Sequence, residues 1–336
     1  MQALLAAVSG YFSPKKRKSS TTDIPLLHIA PLSIITLSLL REWEQCGLLL
    51  LSNVRCKHSS KRVAKCDKIM ELRVSTLYKM DGHALVCPVH GRHYSVRAGS
   101  WFASHRLPLS ELLYIFDMLR CRTPCNSIAR VFAGANLYRE TITKVLHDLQ
   151  AKMWSSLQQN HLPTFDPSDV LEIDEMWMDW KRWENEVGTD ARFKEWEGGQ
   201  WVIGLVNRAR TKLWIECIPS RKRVSIKAVV DPLLRSWLLR KPRIHTDALK
   251  SYEYLAKENT HYIINKKQDG FAIETTTFWG NTINVNVNAI ENTWRHLRAH
   301  LALRHAYRTP QHAQLHIAEF VYNWYQLSWS DLIKIS

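Results

Sequence analysis

The sequence predicts a mixed α/β fold, with a mixed sheet in its second half behind a cysteine-bearing, helical first half. Three observations carry this. Val170-Leu171-Glu172-Ile173-Asp174-Glu175-Met176-Trp177 reads as a strand that brings an acid to a sheet edge. Residues 201–206 and 212–218 are two β-rich runs joined by polar residues, the pattern of an antiparallel hairpin. From there helical and strand-like stretches alternate, which calls for parallel pairing.

The 336 residues suffice for a buried core, and 46% hydrophobic content excludes a wholly disordered chain. Lys+Arg 46 against Asp+Glu 31 leaves +15, a surplus that favours a polyanionic partner, with nucleic acid the leading class. The plainer reading is a basic protein kept soluble by its charge. The longest apolar run, residues 26–40, is interrupted by His28, Pro31 and Ser33 and falls short of the ~20 residues a membrane span needs. No signal-peptide order is expected, because the basic run follows the first apolar stretch. Seven cysteines, an odd number, suit a reducing compartment where Cys is a thiol or metal ligand.

Residues 1–25 read as a basic tail. Lys15, Lys16, Arg17 and Lys18 form a compact cluster that resembles a nuclear localisation signal, so the expected compartment is the nucleus. A solvated arm touching DNA phosphates is the alternative. Residues 26–105 are expected to hold a packing helix and a zinc-ribbon-like module. Cys56, Cys66, Cys87 and His90 supply two pairs of thiolate or imidazole ligands, the tetrahedral cage of a ribbon. The first knuckle is stretched, with nine residues between its cysteines, so His58 remains an alternative to Cys56 and His93 to His90. Buried thiols beside exposed histidines are the bland reading, but so small a segment needs a staple.

Residues 106–160 predict three helices: an amphipathic one carrying Leu109, Leu112, Phe116 and Leu119, a short one at 127–133, and a longer one opening near Leu137. Short helix, Gly-containing turn and longer helix is the helix-turn-helix order, with Tyr138, Arg139, Thr141 and Lys144 facing DNA. An ordinary packing unit has the same periodicity. Cys121 and Cys125 are expected to be core thiols, and residues 159–169 a linker.

Residues 170–336 form the catalytic candidate. After the first strand and the hairpin come a helix over 225–239, a strand over 243–246 ending at Asp247, a helix over 248–258 and a strand over 261–265. A long loop, 266–287, then precedes a helix carrying Glu291 and a last, core-facing helix over 310–325. That is the order of a ribonuclease-H-like mixed sheet. Asp174 and Asp247 fall on neighbouring strands, with Glu291 reaching them from a helix; such carboxylates suit Mg²⁺ (or Mn²⁺) and phosphoryl transfer. Each acid also has a structural reading. Asp174 can cap a turn beside Glu175 as the true ligand, Asp247 can cap the next helix, and Glu291 suits a helix dipole.

The surrounding residues decide between these. Ile173-Asp174-Glu175, Thr246-Asp247 followed by Tyr252 and Leu255, and Ile290-Glu291 with Trp294, Leu297 and Arg298 resemble the Merlin superfamily of DNA transposases and their bacterial insertion-sequence relatives. Asp81-Gly82, Cys87 and Ser95-Val96-Arg97 through Gly99-Ser100-Trp101-Phe102 look like that family's ribbon and its exit. The resemblance extends from about Cys56 to Trp324. It implies a catalytic triad of Asp174, Asp247 and Glu291 holding Mg²⁺, DNA contacts from Arg298 and Arg295, and zinc in the ribbon. It further implies double-stranded DNA as partner, both terminal inverted repeats and target, and a homo-oligomer that pairs two element ends. The stretched knuckle, and Asn286 in place of a fuller His-Thr-Asn triplet, depart from the pattern. A domesticated DNA-binding descendant is the competing expectation.

Overall fold

The computed structural model describes residues 37–45, 49–57, 66–78, 81–132, 139–179, 199–234, 242–257, 260–265, 272–276, 282–304, 309–329 and 332. All of them fall within one compact unit, Ile34–Ser336. The basic cluster at 15–18, His58 and Tyr138 lie outside them. No described helix is long and apolar enough to cross a membrane.

Helix α1, Leu37–Gln45, buries Leu40 and Trp43. Strands β1 (Glu71–Val74), β2 (His83–Val86) and β3 (His93–Ser95) form an antiparallel three-stranded sheet. Three helices follow: α2 (Leu109–Arg120), α3 (Cys125–Val131) and α4 (Arg139–Asn160). Asp81 joins the small sheet to them. Its carboxylate takes a buried two-pronged ion pair from Arg97 and accepts the Leu109 N–H at 3.2 Å, where α2 begins. Cys125 is half-buried against the core, whereas Cys121 is exposed and is not the core thiol expected from helical spacing, because the helix ends at Arg120.

The large sheet has the order β6-β5-β4-β7-β8, with β4 Val170–Asp179, β5 Gly199–Asn207, β6 Leu213–Ile218, β7 Arg243–Asp247 and β8 Thr260–Ile264. The first three strands pair antiparallel; β7 runs parallel to β4, and β8 to β7. This is the ribonuclease-H-like arrangement that the element order predicts. Strand β4 is central and buried on both faces, with Leu171 and Ile173 in the core. Helix α5, Arg223–Leu234, buries Ile226, Val230 and Leu233 beside β5 and β6. Residues 250–257 form a 3-10 stretch instead of the expected α-helix, with Tyr252, Tyr254 and Leu255 buried.

Two expectations are corrected here. Residues 266–287 do not form one long loop, because β9 (Ala272–Thr276) and β10 (Thr282–Asn286) pair antiparallel. Residues 159–169 are not a loose linker. Helix α4 runs on to Asn160, Phe165 is fully buried, and Lys212 forms ion pairs with Asp166 and Asp169.

Helices α6 (Asn288–Arg304) and α7 (Pro310–Trp324) close the fold. The apolar stripe Ile290, Trp294, Leu297 and Leu301 recurs at helical spacing and seats α6 on β4 and β5. That approach needs Gly204, which pairs with Asp174 in register. A Cβ there would stand 2.4 Å from Trp294 Cη2 and 2.8 Å from Ile290 Cδ1. Gly204→Ala is therefore expected to force α6 outward and lower stability by about 1–3 kcal/mol in chemical denaturation. An unchanged midpoint would show that the helix is not seated this closely. Helix α7 is capped by the Thr309 hydroxyl, which accepts the His312 N–H at 3.2 Å. It packs against α4, where Gln150 lies 2.8 Å from His316 Nδ1 and donates to Glu319 at 2.7 Å, all three buried.

Candidate active site and metal centres

Two clusters of ligating side chains exist among the described residues.

The first is made by Cys56, Cys66, Cys87 and His90, whose ligand atoms all lie within 4.8 Å of one another. The long excursion between the first two does not separate them, because the chain pairs on either side of it. The Cys56 N–H bonds to the Lys68 carbonyl at 2.9 Å, the Met70 N–H to the Val54 carbonyl at 2.8 Å, and Arg55 bridges to Ile69. The second pair comes from a tight turn after β2, where the Gly91 N–H returns to the Cys87 carbonyl at 2.9 Å and Gly91 takes φ +61°. Cys66 Sγ and Cys87 Sγ are 3.9 Å apart, and Cys87 Sγ is 3.6 Å from His90 Nδ1. Ligands at the Zn–S distance of a tetrahedral zinc site lie about 3.8 Å apart along each edge, so the four residues fit zinc closely. Burial opposes ionisation of Cys87, but donors from the His90 backbone and ring, the Val89 backbone and the Cys56 thiol bring it down to about 6. His93 instead lies 3.3 Å from Ser75, apart from the cage.

The second cluster sits on the large sheet. Strand β4 pairs with β7 from Val170↔Arg243 to Ile173↔Thr246, so Asp174 and Asp247 follow side by side where that pairing stops. Their carboxylates and that of Glu175 lie within 4.8 Å of one another. Glu175 is held by the Tyr252 hydroxyl and by an ion pair with Arg221, whose guanidinium also stacks 4.8 Å over Trp201. Burial raises the Glu175 carboxyl above its ordinary range, and the neighbouring Asp247 charge adds to this against Tyr252 and Arg221. A carboxylate whose acidity is weakened by a second carboxylate is a natural neighbour for a cation. The set of hard oxygens fits Mg²⁺ or Mn²⁺, with Asp174 and Asp247 the members not already claimed by Arg221. Asp247 also accepts the Leu249 N–H at 3.0 Å, so the capping role read from the sequence is real and coexists with its place in the cluster.

Glu291 stands on the first turn of α6 and is not a member of that cluster. Its helix is fastened to the site, since the Trp294 indole N–H donates to Asp174 at 3.2 Å. Arg295 and Arg298 are exposed on the same helix, on the stripe that includes Glu291. On α4, Arg139 and Lys144 are exposed and Thr141 half-buried.

Sequence reasoning missed the layer beneath. Glu172 is fully buried in β4, two residues before Asp174, and accepts the Ala289 and Ile290 N–H groups at 2.7 and 3.1 Å. Arg208 lies 3.6 Å from its other oxygen, donates to the Asn284 carbonyl at 2.9 Å, and reaches His245 Nδ1 at 3.0 Å. Burial drives the His245 imidazole down to about 4, so the ring is neutral and accepts from Arg208. The available signal was an acid in the middle of an apolar central strand, which is tolerated only with partners.

A mixed sheet of this order, with carboxylates converging where its first and fourth strands part, is a ribonuclease-H-like core. Residues 168–324 match the family model of the ISXO2-like transposase domain, so this part of the chain is similar to insertion-sequence-related DDE transposases. No protein of curated function matches the chain.

Proposed function

We propose that this protein is a cut-and-paste DNA transposase, which binds terminal inverted repeats, hydrolyses phosphodiester bonds at the element ends and joins the 3′ ends to target DNA. The observation that carries this is the pairing of Asp174 and Asp247 at the parting of β4 and β7 inside the transposase-family segment, with the Glu291 helix bonded to Asp174. Asp174, Asp247 and Glu291 would hold Mg²⁺ or Mn²⁺. When bound, the metal activates the attacking water or 3′-hydroxyl and steadies the leaving oxygen.

The chain's own residues prepare the site. Tyr252 and Arg221 fix Glu175 at its wall, and Trp294 orients Asp174. The zinc-ribbon-like module and helices α2–α4 bind the repeats, with Tyr138, Arg139, Thr141 and Lys144 toward DNA, while Arg295 and Arg298 engage the phosphates beside Glu291. The net charge of +15 supports a nucleic-acid partner. Two ends must be brought together, so the working form is a homo-oligomer; Lys15, Lys16, Arg17 and Lys18 direct it to the nucleus.

The test is strand joining. Full-length protein is mixed with an oligonucleotide bearing the pre-cut element end and a supercoiled plasmid, with and without Mg²⁺ or Mn²⁺. Metal-dependent joining is expected. Tight binding to the end without cutting or joining under either metal would overturn the enzyme and leave a domesticated DNA-binding protein.

A further inference from the structure

We infer that Glu172 is the positioning residue that sets where Glu291 stands, acting as a hydrogen-bond acceptor beneath the helix and not as a charge near the metal. This rests on the reading of Glu291 as the third metal ligand.

The first turn of an α-helix has N–H groups with no partner inside the helix, and they are normally met by a cap from the same segment. In α6 the residue before the helix is Val287, whose side chain cannot accept a hydrogen bond. Asn286 Oδ1 meets only the Asn288 N–H, at 3.4 Å, and for the next two the acceptor comes from a distant strand: one oxygen of Glu172 takes both the Ala289 and the Ile290 N–H, at 2.7 and 3.1 Å. Those two residues immediately precede Glu291. Glu172 and Asp174 project from the same face of β4, and Asp174 takes the Trp294 indole one turn further along α6. The helix is thus pinned to β4 at two successive points, on either side of Glu291. The strand that supplies the first ligand also fixes the height and rotation of the helix that supplies the third. Arg208 holds the Glu172 carboxylate from behind at 3.6 Å, and through His245 and the Asn284 carbonyl it ties this anchor to β7 and β10. A partner that orients a metal ligand from beneath governs metal affinity about tenfold or more.

The roles of reach and charge separate cleanly in two small substitutions. Glu172→Gln keeps a carbonyl oxygen at the same reach, able to accept both N–H groups, and removes the charge. Glu172→Asp keeps the charge and withdraws the oxygen by one methylene. Mn²⁺ binding to the full-length, zinc-loaded protein is followed by electron paramagnetic resonance, alongside metal titrations of cleavage and the melting temperature. If Glu172 positions Glu291, Glu172→Asp raises the Mn²⁺ dissociation constant about tenfold. It raises the metal concentration for half-maximal cleavage equally and leaves DNA affinity unchanged, while Glu172→Gln keeps the wild-type Mn²⁺ affinity. The reverse order, with Glu172→Gln losing affinity and Glu172→Asp keeping it, overturns the inference in favour of a long-range charge effect. Loss of melting temperature in both with unchanged Mn²⁺ affinity overturns it in favour of a purely structural role. Glu291→Gln is measured beside them. If it too leaves Mn²⁺ affinity unchanged, the three-ligand reading itself fails; if it weakens binding while Glu172→Asp does not, only the present inference falls.

Discussion

On the proposed reading of Asp247 as a metal ligand, Asp247→Ala is expected to lower metal-dependent strand joining by at least about a thousandfold while the protein still binds the element end. The size follows from what the position does. A bound metal contributes several kcal/mol to a phosphoryl-transfer transition state, and each ~1.4 kcal/mol is a factor of ten in rate. Asp247 ends β7, half-buried, and its carboxylate accepts the Leu249 N–H just before the 3-10 stretch. Truncating it removes a ligand and a cap together, so the control is Asp247→Asn, which can still accept that N–H. Both variants are expected to be inactive, with the asparagine protein melting close to the wild type. Gel shift on the end oligonucleotide and a joining assay on the same preparations check this. Joining by the asparagine variant within tenfold of wild type would remove Asp247 from the metal site.

The second large effect concerns stability. Removing zinc with a chelator, or replacing Cys66 by serine, is expected to unfold the β1–β3 module while the large sheet persists. Structural zinc sites contribute about 10–16 kcal/mol in isolated modules, more than a three-stranded sheet of this size can replace. Along and beside β1, Ile69, Val74 and Leu77 are exposed, so this edge of the module adds no core of its own. Amide exchange should rise across residues 66–105 and stay low in β4 and β5, and one zinc per chain should be lost. Protection of both regions after chelation would mean that the cage is a set of packed thiols. Acid should act in the same direction. The folded protein holds the Cys87 thiol at about 6, below its ordinary value of 9.0. Its contribution is therefore present above that ordinary value and is lost as pH falls through about 6 in the metal-free protein; bound zinc moves the loss to lower pH.

The catalytic half was legible because its signals were local. An acid-bearing apolar run made β4, a hairpin of β-rich runs made β5 and β6, and a helical apolar stripe made α6, each as the periodicity predicts. What periodicity could not reveal was β9 and β10. Ala272-Ile273-Glu274-Thr275-Thr276 and Thr282-Ile283-Asn284-Val285-Asn286 are short and polar, and among their described side chains only Val285 is fully buried. The clustered acids show the same limit at finer scale. Spacing and motif brought out Asp174 and Asp247, which the strand register sets side by side. Whether the neighbouring oxygen belongs to Glu175 or Glu291 is settled by how side chains close over the sheet, and the structure places Glu175 there. Glu172 escaped because a buried strand acid looks like an error until its partners, more than a hundred residues away, are in view.

The seam between α4 and α7 has a consequence for how the chain matures. Helix α4 buries Leu149, Gln150 and Met153, and the buried polar partners that Gln150 meets come from His316 and Glu319 near the end of the sequence. A ribosome releases the front of this protein long before the residues that cover it. Helix α4 therefore waits, incompletely covered, until α7 emerges more than 150 residues later. Chains cut short before α7 would not leave behind a well-folded first half. They would carry an uncovered apolar face, suited to degradation.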